Sequence, residues 1–203
     1  MDIRFGTGGW REIIGESFTR ENVERISDAM AQRILREGDP DTGIIIGYDR
    51  RFLSEEAAAW AASTFAASGV YTELISKATP TPLIMFHVER NPNFYGMAVT
   101  ASHNPAIYNG IKLFQRGGGD ANLDFTEDIE SIIRERKELS LPHMDFEDAK
   151  ARGLIRMIDP TNAYLDNIMA TLDTEAIRKR GLKGAFDPRV GVGRTAMLTL
   201  LCS

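Results

Sequence analysis

Residues 99–114 read Val99-Thr100-Ala101-Ser102-His103-Asn104-Pro105-Ala106-Ile107-Tyr108-Asn109-Gly110-Ile111-Lys112-Leu113-Phe114. The stretch starts as an apolar strand, breaks into a polar loop with one serine, and resumes as a second apolar run. Ser102 follows the first strand closely, at the edge of a sheet where side chains converge on ligands. Asn104-Pro105 and Asn109-Gly110 are turn-forming pairs that we expect to hold the loop open between two strands. The pattern predicts a nucleophile at the rim of a sheet; an ordinary polar connection is the alternative.

Apolar runs and helical patterns alternate on both sides of this loop. The run Ile44–Ile46 is apolar without a break, as expected for a strand that is covered on both faces. Further strands are predicted over 70–75, 94–100 and 111–115, and helices over 19–38, 54–69, 81–89 and 124–137, with Thr19, Ser54, Thr81 and Asp124 as N-caps. Because alternating strands and helices place helices on both faces of a sheet, the pattern predicts a three-layer α/β/α domain with a mixed, mostly parallel sheet.

The end of the chain has a different organisation. Residues 1–140 form the predicted α/β/α domain, and residues 141–160, which contain two proline breaks, are expected to be a linker. The pattern over 161–203 predicts two or three helices and one strand, the strand over 184–188. No cap or glycine follows the last apolar helix. Since one strand cannot make an independent sheet, we interpret 161–203 as the truncated start of a second α/β domain.

The composition is that of an ordinary globular protein. Apolar residues make up 43% and charged residues 26% of the chain, and the net charge of −5 gives no basic surface for nucleic acid. The single cysteine, Cys202, excludes an internal disulfide and suits a reducing cytoplasm. The start of the chain lacks the layout of a signal peptide, and no apolar run approaches the length of a membrane span. We therefore expect a cytoplasmic protein with no membrane partner.

The serine loop resembles the active-site loop of the α-D-phosphohexomutases, the family of phosphoglucomutase and phosphomannomutase. Thr100-Ala101-Ser102-His103-Asn104-Pro105 is similar to the phosphoserine signature of the family, and Asn109-Gly110-Ile111-Lys112 matches the segment after it. Phe5–Arg11 resembles the opening motif, and Gly47–Ser54 and Thr79–Pro82 fit two further family segments. These matches occur in the family's order and span about the first two-thirds of the chain, so the chain resembles the N-terminal part of a family member.

The resemblance implies an intramolecular phosphotransferase that interconverts hexose 1-phosphate and hexose 6-phosphate through a hexose bisphosphate. It implies that Ser102 donates and accepts the phosphate and that a phosphoserine oxygen binds Mg²⁺. His103 and Lys112 would lie beside the transferring group, and Arg11 would add positive potential. This set suits phosphoryl transfer, which depends on alignment and on cations that offset the charge of the equatorial oxygens.

Two features qualify what the resemblance implies for this chain. No Asp-x-Asp-x-Asp pattern occurs in the 203 residues, so the aspartate loop that holds Mg²⁺ in the family is missing and we expect the chain alone to be catalytically incomplete. Trp10 and the lack of an acidic residue in the opening motif favour glucose or mannose phosphates over glucosamine phosphate.

Two other classes of function are possible from the residues. A stand-alone, non-catalytic module could bind phosphosugars or a protein partner at the same loop. A serine hydrolase could use Ser102 and His103, but the sequence shows neither a nucleophile elbow nor an acid to orient the imidazole. The sequence does not define an oligomeric state.

Overall fold

The computed structural model of the protein describes residues 3–6, 8–136, 140–181 and 183–202. Within these residues, one sheet contains six strands: β1 (Trp10–Ile13), β2 (Gly43–Tyr48), β3 (Tyr71–Ile75), β4 (Phe94–Val99), β5 (Tyr108–Phe114) and β6 (Ile155–Ile158). Eight helices are described: α1 (Arg20–Arg36), α2 (Ser54–Ala67), α3 (Thr81–Arg90), α4 (Leu123–Glu135), α5 (Phe146–Ala151), α6 (Thr161–Thr171), α7 (Thr174–Arg180) and α8 (Gly193–Cys202). None of the helices in the described part of the chain combines the length and apolar composition that a membrane crossing requires.

The sheet is mixed and mostly parallel, which confirms the predicted fold class. Its strand order is β1-β5-β4-β2-β3-β6. The strands β4, β2, β3 and β6 run parallel to their neighbours in this group, and β5 is antiparallel to both β1 and β4. The whole of β2 is buried, as its unbroken apolar run predicted. Because β2 and β4 pair in parallel along their whole length, the carboxyl end of β2 lies beside that of β4. Strand β4 leads into the serine loop.

Helices cover both faces of the sheet. On one face, α1, α2, α4 and α5 pack into one core, to which they contribute Ile26, Phe65, Ile129 and Ala149. On the other face, α3 buries Leu83, Ile84 and Val88 against Ile45 and Phe114, and Tyr164 of α6 packs against this second core. The three predicted layers are present, and they pack against the strands that end at the serine loop.

The helix starts agree with the sequence pattern at α1 and differ at α4. Thr19 caps α1 as predicted, since its hydroxyl accepts a hydrogen bond from the Asn22 amide at 3.3 Å. Asn122, and not Asp124, caps α4, because its side-chain oxygen accepts from the Phe125 amide at 2.9 Å. The prediction of Asp124 was wrong because an asparagine just before an apolar helical run is as good a cap as an aspartate.

The predicted caps of α2 and α3 are also displaced. The residue before α2 is Leu53, whose φ of 62° is left-handed, and Ser54 is the first helical residue. The Ser54 hydroxyl does not cap the helix; it donates to Asp49 Oδ1 at 2.8 Å. Helix α3 begins at Thr81, directly after Pro80. In both cases, the helix begins one residue earlier than predicted and has no side-chain cap.

The stretch 141–160 is regular, although the sequence predicted a linker. It contains α5 and then β6, which pairs in parallel with β3 and forms the edge of the sheet. Burial of Ala149 and Ile155 in the main core ties this stretch to the preceding domain. A four-residue edge strand has too short an apolar pattern to be distinguished from a loop in the sequence. The division of the chain into two domains stays a prediction.

The strand predicted over 184–188 is not present in the described residues. Residues 183–187 are exposed, Pro188 is partly exposed, and none of the residues 183–188 belongs to a helix or strand. A strand needs a partner for its backbone groups, and Pro188 cannot donate a hydrogen bond to one. The helices α6 and α8 pack on each other, and α6 also contacts α3.

A buried acidic residue joins β3 to helix α3 and to the edge strand β6. The Glu73 side chain, in a residue that is 3% exposed, lies 2.7 Å from His87 Nε2 and forms an ion pair with Arg156 of β6. Burial by itself raises the pKa of Glu73, but the hydrogen bonds from His87 and Arg156 outweigh it and hold the pKa below its ordinary value of 4.5. The ionised carboxylate therefore stabilises the folded state at neutral pH, and this contribution is lost as the pH falls through the folded pKa.

Glu73→Gln is expected to lower the free energy of unfolding by about 2 kcal/mol at neutral pH, because the positive partners lose a buried carboxylate. The difference from the wild type should shrink at a second, acidic pH that lies below the folded pKa, because the wild-type carboxylate is protonated there. Urea unfolding at both pH values measures this. Glu147→Gln removes an exposed pair with Lys150 and should change stability by less than about 0.5 kcal/mol. A loss in Glu73→Gln that is the same at both pH values would contradict the assignment.

Candidate active site

Ser102 is presented at the rim of the sheet, as the sequence predicted. It lies in the loop between β4 and β5, its side chain is exposed, and its φ of 53° is left-handed. Its amide donates to Thr100 Oγ1 at 2.9 Å, and its own Oγ lies 3.4 Å from His103 Nδ1. The backbone before Ser102 is thus fixed, while the hydroxyl faces outward with an imidazole beside it.

Asp49 connects this loop to the end of the neighbouring strand β2. Its Oδ2 accepts a hydrogen bond from Thr100 Oγ1 at 2.7 Å. Its Oδ1 accepts from the Ser54 hydroxyl at 2.8 Å and from the Arg51 amide at 2.9 Å. A short chain of hydrogen bonds therefore leads from the Ser102 amide through Thr100 to a carboxylate anchored on β2.

The side chain of Arg51 lies under the serine loop and binds its backbone. Nη2 donates to the carbonyl oxygens of Ser102 and Asn104, both at 2.7 Å. Nη1 donates to those of Pro105 and Tyr108, both at 3.0 Å. Nε lies 3.4 Å from Asp49 Oδ2. All five N–H groups of this guanidinium are therefore directed at oxygen atoms of the protein itself.

Of the two predicted cationic site residues, Arg11 contacts the serine loop, whereas Lys112 pairs with an acidic residue outside it. Arg11, on β1, donates to Asn104 Oδ1 and to the Gly8 carbonyl, both at 3.1 Å, so it joins the opening motif to the serine loop. Lys112, on β5, pairs with Asp120 at 2.9 Å. The structure thus brings His103 to the Ser102 hydroxyl and Arg11 to the same loop. The catalytic roles of Arg11 and Lys112 stay predictions.

The pair Asn109-Gly110 lies inside β5, opposite β1, and not in a turn as the sequence predicted. Asn109 is fully buried, and its amide donates to Ser54 Oγ at 2.9 Å and to the Phe52 carbonyl at 3.1 Å. At Gly110, an added Cβ would lie 2.2 Å from the Trp10 carbonyl oxygen. The turn prediction was wrong because tertiary contacts, and not local turn preference, determine both residues.

Trp10 is a core residue. It is 2% exposed, and its ring stacks on Phe18 with the centroids 5.7 Å apart. The indole therefore does not face a ligand, and it gives no support to the expected preference for glucose or mannose phosphates.

A cleft of about 690 Å³ opens over the serine loop. Its walls are the end of β2, the start of α3, the serine loop itself, and the segment 190–192 that precedes α8. Arg50 also lines the cleft, and within the described part of the chain it has neither an ion-pair nor a hydrogen-bond partner. A cleft of this size, with a hydroxyl, an imidazole and a free guanidinium, suits a small phosphorylated ligand.

The described residues do not by themselves fit a magnesium site. They contain no group of three His, Cys, Asp or Glu side chains that could hold a metal ion. Both carboxylate oxygens of Asp49, which lies nearest in the hydrogen-bond network, already accept hydrogen bonds from protein groups. The assignment of a phosphorylated Ser102 as a metal ligand stays a prediction.

Sequence reasoning missed Asp49, Arg51 and Asn109 as site residues. The signal for the first two was the position of Asp49-Arg50-Arg51 directly after a buried strand. Because the carboxyl ends of neighbouring parallel strands meet at one edge, these residues had to lie near Ser102 once β2 and β4 were known to be adjacent. The sequence alone does not show that β2 and β4 are neighbours in the sheet.

Comparison with known proteins gives matches over most of the chain. A family model described as phosphoglucomutase/phosphomannomutase, alpha/beta/alpha domain I, matches residues 2–140. A phosphoglucomutase of Komagataeibacter xylinus is 31% identical over 202 residues, which cover 93% of this chain and 36% of that protein. A phosphoglucosamine mutase of Alkaliphilus metalliredigens is 30% identical over 188 residues, covering 92% and 40%.

A solved structure extends the comparison to 98% of the chain. The open form of the Paramecium exocytosis-sensitive phosphoprotein parafusin, a phosphoglucomutase, has a TM-score of 0.83 and 19% identity over 98% of this chain and 40% of its own. At this identity the match shows the fold alone. The chain spans 36–40% of the length of these relatives.

Proposed function

Because the chain belongs to the phosphoglucomutase/phosphomannomutase family, we propose that the whole protein interconverts hexose 1-phosphate and hexose 6-phosphate through a phosphoserine at Ser102. The observation that carries the proposal is the Ser102 hydroxyl itself, exposed at the end of a parallel strand in a left-handed turn, 3.4 Å from an imidazole and open to the cleft. Glucose and mannose phosphates are the proposed substrates.

The proposed reaction transfers one phosphoryl group in each direction. A sugar hydroxyl attacks the phosphorus of phosphoserine, the P–O bond to Ser102 breaks, and the proton of the sugar hydroxyl passes to the leaving Ser102 oxygen, which gives a hexose bisphosphate and a free serine. The Ser102 hydroxyl then attacks the other phosphorus of the bisphosphate, the P–O bond to the sugar breaks, and the serine proton passes to the sugar oxygen, which gives phosphoserine and the isomeric hexose monophosphate. His103 Nδ1 is placed to hydrogen-bond the serine oxygen as charge develops on it. Phosphoserine carries about −1.5 to −2 charge at neutral pH, and Arg50, which lines the cleft and has no partner among the described residues, would offset part of it.

Mg²⁺ is part of the proposal as the family's Lewis acid for phosphoryl oxygens. A phosphoserine oxygen would be one ligand. The others would come from outside the described residues, since these residues contain no suitable cluster.

The proposal predicts that the 203-residue chain alone has little or no mutase activity, because the metal ligands are not among its described residues. The measurement is the formation of glucose 6-phosphate from glucose 1-phosphate, with a hexose bisphosphate as activator and Mg²⁺ present. The chain is compared with the same protein extended to the full length of its relatives, which we expect to be active. Substantial turnover by the chain alone would contradict the prediction. Binding of glucose 1-phosphate without turnover by the extended protein would instead support a non-catalytic phosphosugar module.

A further inference from the structure

We propose that Arg51 is a positioning residue for the phosphate-carrying serine, and that its guanidinium holds Ser102 in the left-handed conformation that presents the hydroxyl to the cleft. The catalytic consequence of this proposal rests on the proposed function. The structural part does not, because it concerns only how the loop is held.

The hydrogen bonds of Arg51 indicate that it positions the loop and does not bind a phosphate. A guanidinium has five N–H groups, and here four donate to loop carbonyls while Nε faces Asp49. The side chain is only 14% exposed. No donor of Arg51 is left for a phosphate, in contrast to the neighbouring Arg50, which lines the cleft without a described partner.

The conformation of Ser102 explains why such a clamp is needed. A non-glycine residue with φ near 53° is strained and persists only where its surroundings hold it. The amide of Ser102 is held by Thr100, and its carbonyl is held by Arg51 at 2.7 Å. Both peptide groups of Ser102 are therefore fixed, and the side chain is the part that remains free to carry a ligand. Four carbonyl oxygens that converge on one point would also repel one another without a cation between them.

Lysine cannot replace this arrangement. It keeps the positive charge but has three donors on one nitrogen, whereas the clamp uses a planar fork with donors on two terminal nitrogens. Arg51→Lys thus removes the geometry and preserves the charge. Arg33→Lys is the matched control. The Arg33 side chain is also partly buried, pairs with Glu37 at 2.8 Å and lies over the Phe125 ring at 4.2 Å, on the helical layer and away from the serine loop.

The test is amide hydrogen exchange of the 203-residue chain, read in the loop 101–108 and in the core strands, together with thermal unfolding. Arg51→Lys is expected to raise exchange in the loop by about tenfold or more, from the loss of charge-assisted hydrogen bonds, with little change in β2 and β4. Two amides report the loop directly, those of Asn104 and Tyr108, which donate to Ala101 and Pro105. Arg33→Lys is expected to lower the melting temperature without faster exchange in the loop.

Two results would overturn the proposal: loop exchange in Arg51→Lys that equals the wild type, or a rise in loop exchange that Arg33→Lys reproduces. If Arg51→Lys does not fold, the comparison is made on a Ser102→Gly background, where glycine relieves the left-handed strain. There, Arg51→Lys should fold, and an equally complete loss of folding would contradict a clamp that acts on Ser102. In the full-length enzyme, Arg51→Lys should lower kcat and change KM for glucose 1-phosphate by less than about twofold. The exchange result stands even if no phosphate is carried by Ser102, so the two proposals can fail separately.

Discussion

Ser102→Ala is expected to abolish phosphate exchange by the full-length protein, with kcat lowered by about 10⁴-fold or more, because the substitution removes the proposed phosphate carrier. The hydroxyl closest in sequence, that of Thr100, is not free to take over, because it donates a hydrogen bond to Asp49 at 2.7 Å and accepts one from the Ser102 amide at 2.9 Å. The measurement is the rate of glucose 6-phosphate formation, followed with a coupled assay.

Ser140→Ala is the matched control for this substitution. Ser140 is exposed as well, and it lies after α4, outside the serine loop and the cleft. Its replacement should leave kcat within about twofold of the wild type. Retention of activity by Ser102→Ala at a level near that of Ser140→Ala would show that the phosphate is carried elsewhere.

Gly110→Ala is expected to lower the free energy of unfolding by about 3 kcal/mol or more, because overpacking of a rigid site displaces its neighbours. The added Cβ would lie 2.2 Å from the Trp10 carbonyl oxygen and 3.0 Å from that of Thr100. Both contacts are with backbone atoms, which cannot rotate away as a side chain does. The strain would separate β1 from β5 and disturb the serine loop, which leads directly into β5. Urea unfolding of the 203-residue chain measures the effect.

Gly119→Ala provides the comparison, since a Cβ at Gly119 would meet no atom within 4 Å. This substitution should change the free energy of unfolding by less than about 1 kcal/mol. The pair also distinguishes the two interpretations of Asn109-Gly110. If that dipeptide formed an open turn, as its composition suggested, Gly110→Ala would be as mild as Gly119→Ala.

The fold could be predicted from the sequence where a local pattern of residues is compatible with a single type of structure. The unbroken run Ile44–Ile46 predicted a strand covered on both faces, and the structure buries all of β2. The break after Val99 predicted a polar loop with an exposed serine, and Ser102 lies there. These predictions succeeded because burial on both faces and strand ends leave their mark within a few consecutive residues.

The errors occurred where tertiary contacts overrule a local preference. Asn109-Gly110 is a strong turn signal in isolation. In the folded protein, however, the side-chain amide of Asn109 is buried and donates hydrogen bonds to the Phe52 carbonyl and to Ser54 Oγ. Gly110 has no side chain, which leaves room for the Trp10 carbonyl. The edge strand β6 was missed for a related reason. Only Ile155 of its four residues is buried, so no alternating pattern was visible.

The clamp beneath the serine could not be predicted from spacing. Arg51 binds carbonyls that lie 51 to 57 residues further along the chain. Their proximity depends on β2 lying beside β4, which is a property of strand order. Backbone carbonyls also carry no residue-type signal, since every residue has one. The sequence could therefore indicate that an arginine lies at the right edge of the sheet, but not what it binds.

The most direct test of the central claim is to locate the phosphate on the protein by intact mass measurement and peptide mapping, after incubation of the full-length form with a hexose bisphosphate. We predict one phosphate for each chain, on Ser102, and its removal when glucose 1-phosphate is added. An active protein that carries its phosphate on another residue, or that turns over without any, would contradict the account.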